Sequence, residues 1–281
     1  MKRASIAAKS ARNVVAEPSR ARRGRFSDLD KDKLRGGYYT SSDVAAWLCA
    51  WAIRTRNDKV LEPSCGDGAF LEAAARRLGE LGARGSAISK NLTGKEIISA
   101  EADRARVRLQ KALGFSSQDV VETTDFFGWW QKGNRQVFDA VVGNPPFIRY
   151  QSFPEPHRSR AMAIMARLGL SPNKLTNIWV PFVVATAASL KPGGRLALVL
   201  PAELLQVTYA AQLRSFLTDR FTRIDIVACN ELFFEKAQQE VVLLLAEGAL
   251  ETASAVNTCR VTLTEARTLV EITSRTPSAV L

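Results

Sequence analysis

Apolar residues fall into a readable rhythm from about Leu34 onward. Val44, Trp47, Leu48 and Trp51 recur at helical spacing behind Ser41 or Ser42, either of which can cap a helix by accepting a backbone N–H. Lys59 to Ser64 then reads as a short strand, followed by a glycine turn and a helix from about Ala69 to Leu81. The alternation repeats. Glu96 to Glu101 predicts a second strand and Ala102 to Leu113 a helix, while Val120 to Phe126 and Phe138 to Gly143 predict strands three and four. Ile178 to Leu190 is an apolar helix stopped by Lys191-Pro192-Gly193-Gly194, and Arg195 to Leu200 is strand five. A helix near Leu204 to Leu217 precedes two last strands, Arg223 to Ala228 and Glu240 to Leu245.

Strands alternating with helices predict an α/β fold: a doubly wound, mostly parallel, seven-stranded sheet. Only the last two strands follow each other without a helix, which predicts an antiparallel strand at the sheet edge. Two segments break the alternation. Arg84 to Thr93 reads as a loop, and Arg149 to Thr176 as a long insertion carrying Arg149, Arg158, Arg160, Arg167 and Lys174 against one acid, Glu155. The charge imbalance favours substrate contact, and a short amphipathic helix around Ala161 to Leu168 is the plainer reading. Residues 1–33 lack periodic apolar positions and read as a flexible basic arm, with Arg20, Arg22, Arg23 and Arg25 able to touch phosphates. The expected division is an arm at 1–33, one catalytic domain at 34–248, and at 249–281 an extension or the start of a missing recognition domain.

Composition narrows the chemistry. A net charge of +11 and a pI near 9.8 point to a polyanionic partner. No apolar run approaches the ~20 residues of a membrane span, and the basic N-terminus has no apolar segment behind it, so neither a membrane nor secretion is expected. Cys49, Cys65, Cys229 and Cys259 are far apart and form no CxxC pair, which fits reduced thiols in a cytoplasm and no metal site. A single histidine, His157, leaves no room for Ser-His-Asp or multi-histidine chemistry.

Two turns carry candidate chemistry. The first strand runs into Glu62-Pro63-Ser64-Cys65-Gly66-Asp67-Gly68 and on to Phe70, at the carboxyl end of a strand where open α/β sheets bind ligands. Gly66 and Gly68 allow a tight turn and a close backbone approach. This is neither GxGxxG nor a P-loop. Glu62 and Asp67 would repel a pyrophosphate but suit a cationic ligand such as S-adenosylmethionine, which carries a sulfonium and an α-ammonium. A second acid is expected to bind ribose hydroxyls at the end of strand two; Glu101 is preferred because a helix begins directly after it, with Glu96 as the competitor. The other turn is Asn144-Pro145-Pro146-Phe147, ending strand four. Two prolines remove backbone donors and leave carbonyls that only accept. The Asn144 oxygen and the Pro145 carbonyl can together orient both hydrogens of an amino group and turn its lone pair toward a methyl donor. Phe147 offers a stacking face worth ~1–3 kcal/mol.

These residues resemble the adenine-N6 DNA methyltransferases with gamma motif order, from about Gly36 to Gly248. The resemblance implies a class I, Rossmann-like fold, S-adenosylmethionine as cofactor, DNA as partner and a place in restriction-modification. It implies that Gly37-Tyr38-Tyr39-Thr40 closes over the methionine end of the cofactor and that Asp125 and Phe126 hold and stack its adenine. It further implies that Asn144 to Phe147 is the catalytic loop and that Phe233 helps hold the flipped base, before the strand from Gln238 to Leu245. Family members carry a recognition domain after the last catalytic strand, and about 33 residues follow Gly248 here. The expectation is that recognition is lost, is supplied by another chain, or rests on the arm and the insertion. The same loop chemistry also suits RNA bases or a protein glutamine amide, and a remnant that only binds is the non-enzymatic alternative.

Overall fold

The computed structural model describes residues 40–114, 119–133, 137–229, 240–252, 254, 257–266 and 268–274. The arm, the Gly37-Tyr38-Tyr39 part of the first motif, and Phe233 lie outside them. Ser41 is the cap: its Oγ accepts the Val44 N–H at 3.3 Å and opens helix α1 (Ser42–Ala52). There follow β1 (Val60–Glu62), α2 (Ala69–Glu80), α3 (Ser86–Asn91), β2 (Leu92–Glu96), α4 (Ser99–Leu113), β3 (Val121–Thr123), α5 (Phe126–Gln131) and β4 (Phe138–Gly143). Beyond β4 lie α6 (His157–Arg167), α7 (Trp179–Ala187), β5 (Leu190–Pro201), α8 (Glu203–Gln206), α9 (Ala211–Thr218), β6 (Phe221–Cys229), β7 (Val241–Ala249), β8 (Arg260–Ala266) and α10 (Leu269–Ser274).

The strands form one sheet in the order β3-β2-β1-β4-β5-β7-β6-β8. β1 to β5 run parallel, β7 is antiparallel to β5 and β6, and β8 is parallel to β6. Side chains alternate between faces with the period of two that a strand imposes. Leu196, Leu198 and Leu200 of β5 join α5, α6, α7 and α9 in one core, while Ala197 and Val199 join α1, α2 and α4 in the other. Helices therefore cover both faces, as expected for a doubly wound sheet.

Several boundaries differ from the sequence reading. The sheet has eight strands rather than seven, and its antiparallel strand is interior: β7 lies between β5 and β6. The eighth strand comes from the segment after Gly248, where Val261 and Leu263 stay exposed and the apolar signal is correspondingly weak. Residues 84–93 are not one loop but contain α3 and the first residues of β2. Strand two is Leu92–Glu96, four residues before its expected start, so Glu101 sits in the first turn of α4 and Glu96 ends the strand. At Gly94 a Cβ would lie 2.6 Å from Leu71 Cδ1 and 3.3 Å from Cys65 Sγ, so α2 and the turn pack closely over the strand there. Strand three stops at Thr123 because Asp125 accepts the Phe127 and Gly128 N–H groups and starts α5 at Phe126. The Lys191-Pro192-Gly193-Gly194 stop lies within β5: Phe138 pairs with Leu190 and Ala140 with Arg195, so the four residues bulge out of register.

Strand order reverses between β1 and β4, the switch point at which such sheets open a crevice. The opposite end of β1 is tied down by a buried charge. Asp58, just before β1, accepts from Arg195 of β5 at 2.8 Å and from the Arg54 N–H at 2.9 Å and Thr55 Oγ1 at 2.5 Å. Removing one partner of a buried pair leaves an uncompensated charge. Asp58→Ala should therefore lower unfolding free energy by about 3–5 kcal/mol, read from urea titration; a loss within 1 kcal/mol would show that the pair does not anchor the strand.

Candidate active site

The turn after β1 is built by backbone bonds: the Cys65 N–H donates to Lys95 O at 2.9 Å and the Gly68 N–H to Cys65 O at 2.7 Å. Gly68 sits at φ +87°, and a Cβ there would fall 2.9 Å from Ala105 of α4, so this glycine sets how closely α2 and α4 approach. Gly66, at φ +50°, donates its N–H to Glu96 Oε2 at 2.8 Å, while Glu96 Oε1 accepts the Ile98 N–H at 2.9 Å. Glu96 thus braces the turn from the end of β2. Glu101 accepts from Arg104 at 2.8 Å and faces the same cleft from α4.

Glu62, Pro63, Ser64, Cys65, Gly66, Asp67 and Phe70 all line that cleft. Glu62 is 2% exposed, and its Oε2 has no hydrogen-bond partner; Ser64 Oγ is a second buried atom without one. Burial, with the carboxylates of Asp67 and Glu96 close by, pushes the Glu62 carboxyl well above the usual range. Burial likewise raises Glu96 and the Cys65 thiol, which leaves Cys65 a packing residue. Arg108 is drawn outward to Asp67 at 3.1 Å and Glu72 at 3.5 Å. An acidic pocket with an unpartnered, buried Glu62 oxygen fits a cation better than any anion.

The far wall is aromatic. Phe126 stacks on Phe182 of α7 at 5.3 Å and 10° between planes, and both line the cleft with Phe153. Asp125, beside them, takes hydrogen bonds from the Phe127 and Gly128 N–H groups and from Arg160, with His157 Nδ1 at 3.0 Å. Burial alone would raise Asp125, but the bonds from His157 and Arg160 outweigh it and hold the carboxyl below its usual range.

Asn144 and Pro146 enter the cleft from the end of β4. Gly143 is at φ +150°, and a Cβ there would lie 3.4 Å from Glu62 Cγ, so the ends of β4 and β1 meet closely. Asn144 Nδ2 donates to Thr40 Oγ1 at 3.3 Å, which engages the amide through its nitrogen and sets which way its oxygen points. Pro145 is buried, Phe147 is half-buried between the two cores, and Arg149 is exposed; none of the three lines the cleft. The loop is held by the Ile178 N–H, which donates to Ile148 O at 2.9 Å.

Sequence reasoning missed Phe182 and Phe153 as cleft residues, and His157 and Arg160 as partners of Asp125. Phe182 is indistinguishable from core within an apolar helix, and the other three lie in the insertion, whose charge drew attention to substrate rather than to Asp125. Among the described residues there is no cluster of metal-ligating side chains and no helix long and apolar enough to cross a membrane.

Comparison with known proteins gives the family and the fold. A Type II methyltransferase of Geobacillus stearothermophilus, M.BstVI, is 30% identical over 188 residues, covering 59% of this chain and 32% of that protein. M.PaeR7I of Pseudomonas aeruginosa, also a Type II methyltransferase, is 28% identical over 214 residues, covering 67% and 36%. The chain thus spans about a third of the length of these relatives. Among solved structures, the DrdV–DNA complex superposes with a TM-score of 0.66 at 12% identity, over 90% of this chain and 30% of that one. A class I S-adenosylmethionine-dependent methyltransferase described as putative, from Listeria monocytogenes, superposes with a TM-score of 0.61 at 15% identity, over 90% and 72%. These likenesses establish the doubly wound methyltransferase fold. The Eco57I restriction-modification methylase family matches residues 75–234, more than half of the sequence, and the chain belongs to that family.

Proposed function

We propose that this chain binds S-adenosylmethionine in the cleft and transfers its methyl group to the exocyclic N6 of adenine in DNA. One observation carries the reading: the orphaned Glu62 carboxylate at the end of β1 and Asn144 at the end of β4 open into one cleft. A cation-binding pocket and an amino-binding loop are therefore neighbours.

S-adenosylmethionine, when bound, supplies an electrophilic methyl on its sulfonium. Glu62, with Asp67 near it, balances the cationic methionine end. Glu96, the acid at the end of β2, takes the place expected for the ribose acid, with Glu101 behind it. Phe126 and Phe182 flank the adenine, and Asp125 accepts from its amino group. In the loop, the Asn144 oxygen and the Pro145 carbonyl accept the two hydrogens of the target amine, and Phe147 stacks on the flipped base. No general base is needed, because the nitrogen sheds its extra proton to water after alkylation. The exposed cations Arg149, Arg167 and Lys174, all in the insertion directly after the loop, suit the phosphate backbone. The relatives are Type II methyltransferases and one neighbour was solved on DNA, which supports DNA over other amines. Recognition of a particular site is assigned to parts outside the described residues or to a separate chain.

Incubation with labelled cofactor and DNA, followed by digestion to nucleosides, should yield N6-methyladenine. Asn144→Ala should reduce the rate on the order of a hundredfold or more, the scale for losing one group that acts on the transition state. Label appearing instead in cytosine, in RNA or in a protein amide would overturn the assignment.

Glu62 generates a prediction with a sign. Its carboxyl is raised in the ligand-free fold, so the fold binds a proton that the unfolded chain releases. That contribution is fully present below the unfolded value and is lost as pH rises through the folded one. Glu62→Gln should therefore stabilise the ligand-free protein at neutral pH, with Tm rising by roughly 2–4 °C per kcal/mol gained. A cationic ligand favours the ionised form, so binding releases the proton and wild-type affinity should strengthen with pH above the ordinary carboxylate range. Calorimetry should show this dependence flattened, and affinity weakened at least about tenfold, in Glu62→Gln. Equal affinity and equal pH dependence in the two proteins would remove Glu62 from the site.

A further inference from the structure

We propose that Arg160 and His157, on the helix following the Asn-Pro-Pro-Phe loop, are positioning residues for the cofactor's adenine: they fix Asp125 so that Oδ1 accepts the 6-amino group. The proposal rests on reading the cleft as an S-adenosylmethionine site and assigns a new role to two residues of the insertion.

The two oxygens of Asp125 are used unequally. Oδ2 receives the Gly128 N–H at 3.1 Å and Arg160 Nη1 at 2.9 Å, and His157 Nδ1 lies 3.0 Å from it. Among the described residues, Oδ1 receives only the Phe127 N–H, at 3.2 Å. A carboxylate oxygen has about two good acceptor sites. Oδ2 is therefore filled, and Oδ1 keeps one site for a further donor. Without Arg160 and His157 only the two backbone N–H bonds hold the carboxylate, and Oδ2 regains a site that competes with Oδ1 for the donor.

A second observation shows that the contact is built into the fold. Residue 128 is glycine, and a Cβ there would lie 3.1 Å from Arg160 Nη1, so a side chain would crowd the guanidinium. The clamp also reaches the cleft wall through His157. Its ring packs on Phe153 at 6.3 Å, and Phe153 lines the cleft and meets Phe127 edge-on at 6.2 Å and 88°. The insertion is thereby joined to the cofactor side of the site, although it leaves the chain at the substrate loop.

The reported quantity is discrimination rather than affinity. The full chain is titrated calorimetrically with S-adenosylhomocysteine and with S-inosylhomocysteine, which carries a ring oxo group in place of the amine. Wild type should prefer the adenosyl compound by about tenfold, the scale of one well-placed hydrogen bond to a charged group. Arg160→Ala and His157→Ala should lower that ratio severalfold, and Arg160→Lys, which keeps a cationic donor, should restore most of it. Gly128→Ala should lower the ratio without deleting any polar group, and it serves where Arg160→Ala does not fold by circular dichroism. Variants that keep the wild-type ratio would overturn the clamp, as would variants that weaken both ligands equally. Wild type that binds neither ligand would bring down the reading of the cleft itself, and the clamp with it.

Discussion

Everything at the site follows from gathering three carboxylates, Glu62, Asp67 and Glu96, around the opening between β1 and β4. Strand order reverses there, so the two strands' connections leave to opposite faces and a cleft opens at their ends. Glu62 and Glu96 are 2% and 8% exposed, and the cation among their neighbours, Arg108, is drawn to the surface by Asp67 and Glu72. A fold gains nothing by burying acids short of counter-charge, since each pays desolvation without full repayment. The arrangement makes sense as a site held ready for a cation, stabilised elsewhere by the two cores and by the Asp58–Arg195 pair under the same strands.

The same constraint explains why the glycines matter where they do. Gly143 brings the end of β4 within reach of Glu62, and Gly68 lets α2 and α4 close behind the turn. Glu96 then ties the turn to β2 through the Gly66 N–H. The acid therefore both braces the loop and faces the cleft. Glu101 has a looser place, one turn into a helix and partnered by Arg104.

Much of this was legible in the sequence because it rests on local chemistry. The Ser41 cap, the strand–turn–helix at Val60 to Phe70 and the strand ending in Asn144-Pro145-Pro146-Phe147 announce themselves through short-range patterns. Strand two was misplaced because Ile97-Ile98 is the most apolar part of its segment, while the true strand contains Thr93, Gly94 and Lys95. The true strand packs Gly94 closely against Leu71, a contact between residues far apart in the chain that the local apolar pattern does not show. Strand three was overrun for the opposite reason, since Phe126 and Phe127 look like strand residues until Asp125 caps them into a helix. β8 escaped notice because an edge strand with one exposed face needs little apolar character. Phe182 escaped because core and ligand wall use the same residue.

The insertion shows how one segment can serve two sides of a reaction. Its charge pointed outward, and Arg149, Arg167 and Lys174 are indeed exposed. Its other face turns inward: Phe153 lines the cleft beside Ile148, the residue just before the insertion, and α6 grips Asp125. Ile148 is also fastened to the start of α7 by the Ile178 N–H, and α7 carries Phe182 into the aromatic wall. The Asn144-Pro145-Pro146-Phe147 loop, the insertion and the aromatic wall therefore form a continuous run of contacts rather than separate modules. Under the proposed function, a base entering at the loop and a ligand held by Asp125 and Phe182 would meet the same packed unit, so ordering one end would stiffen the other.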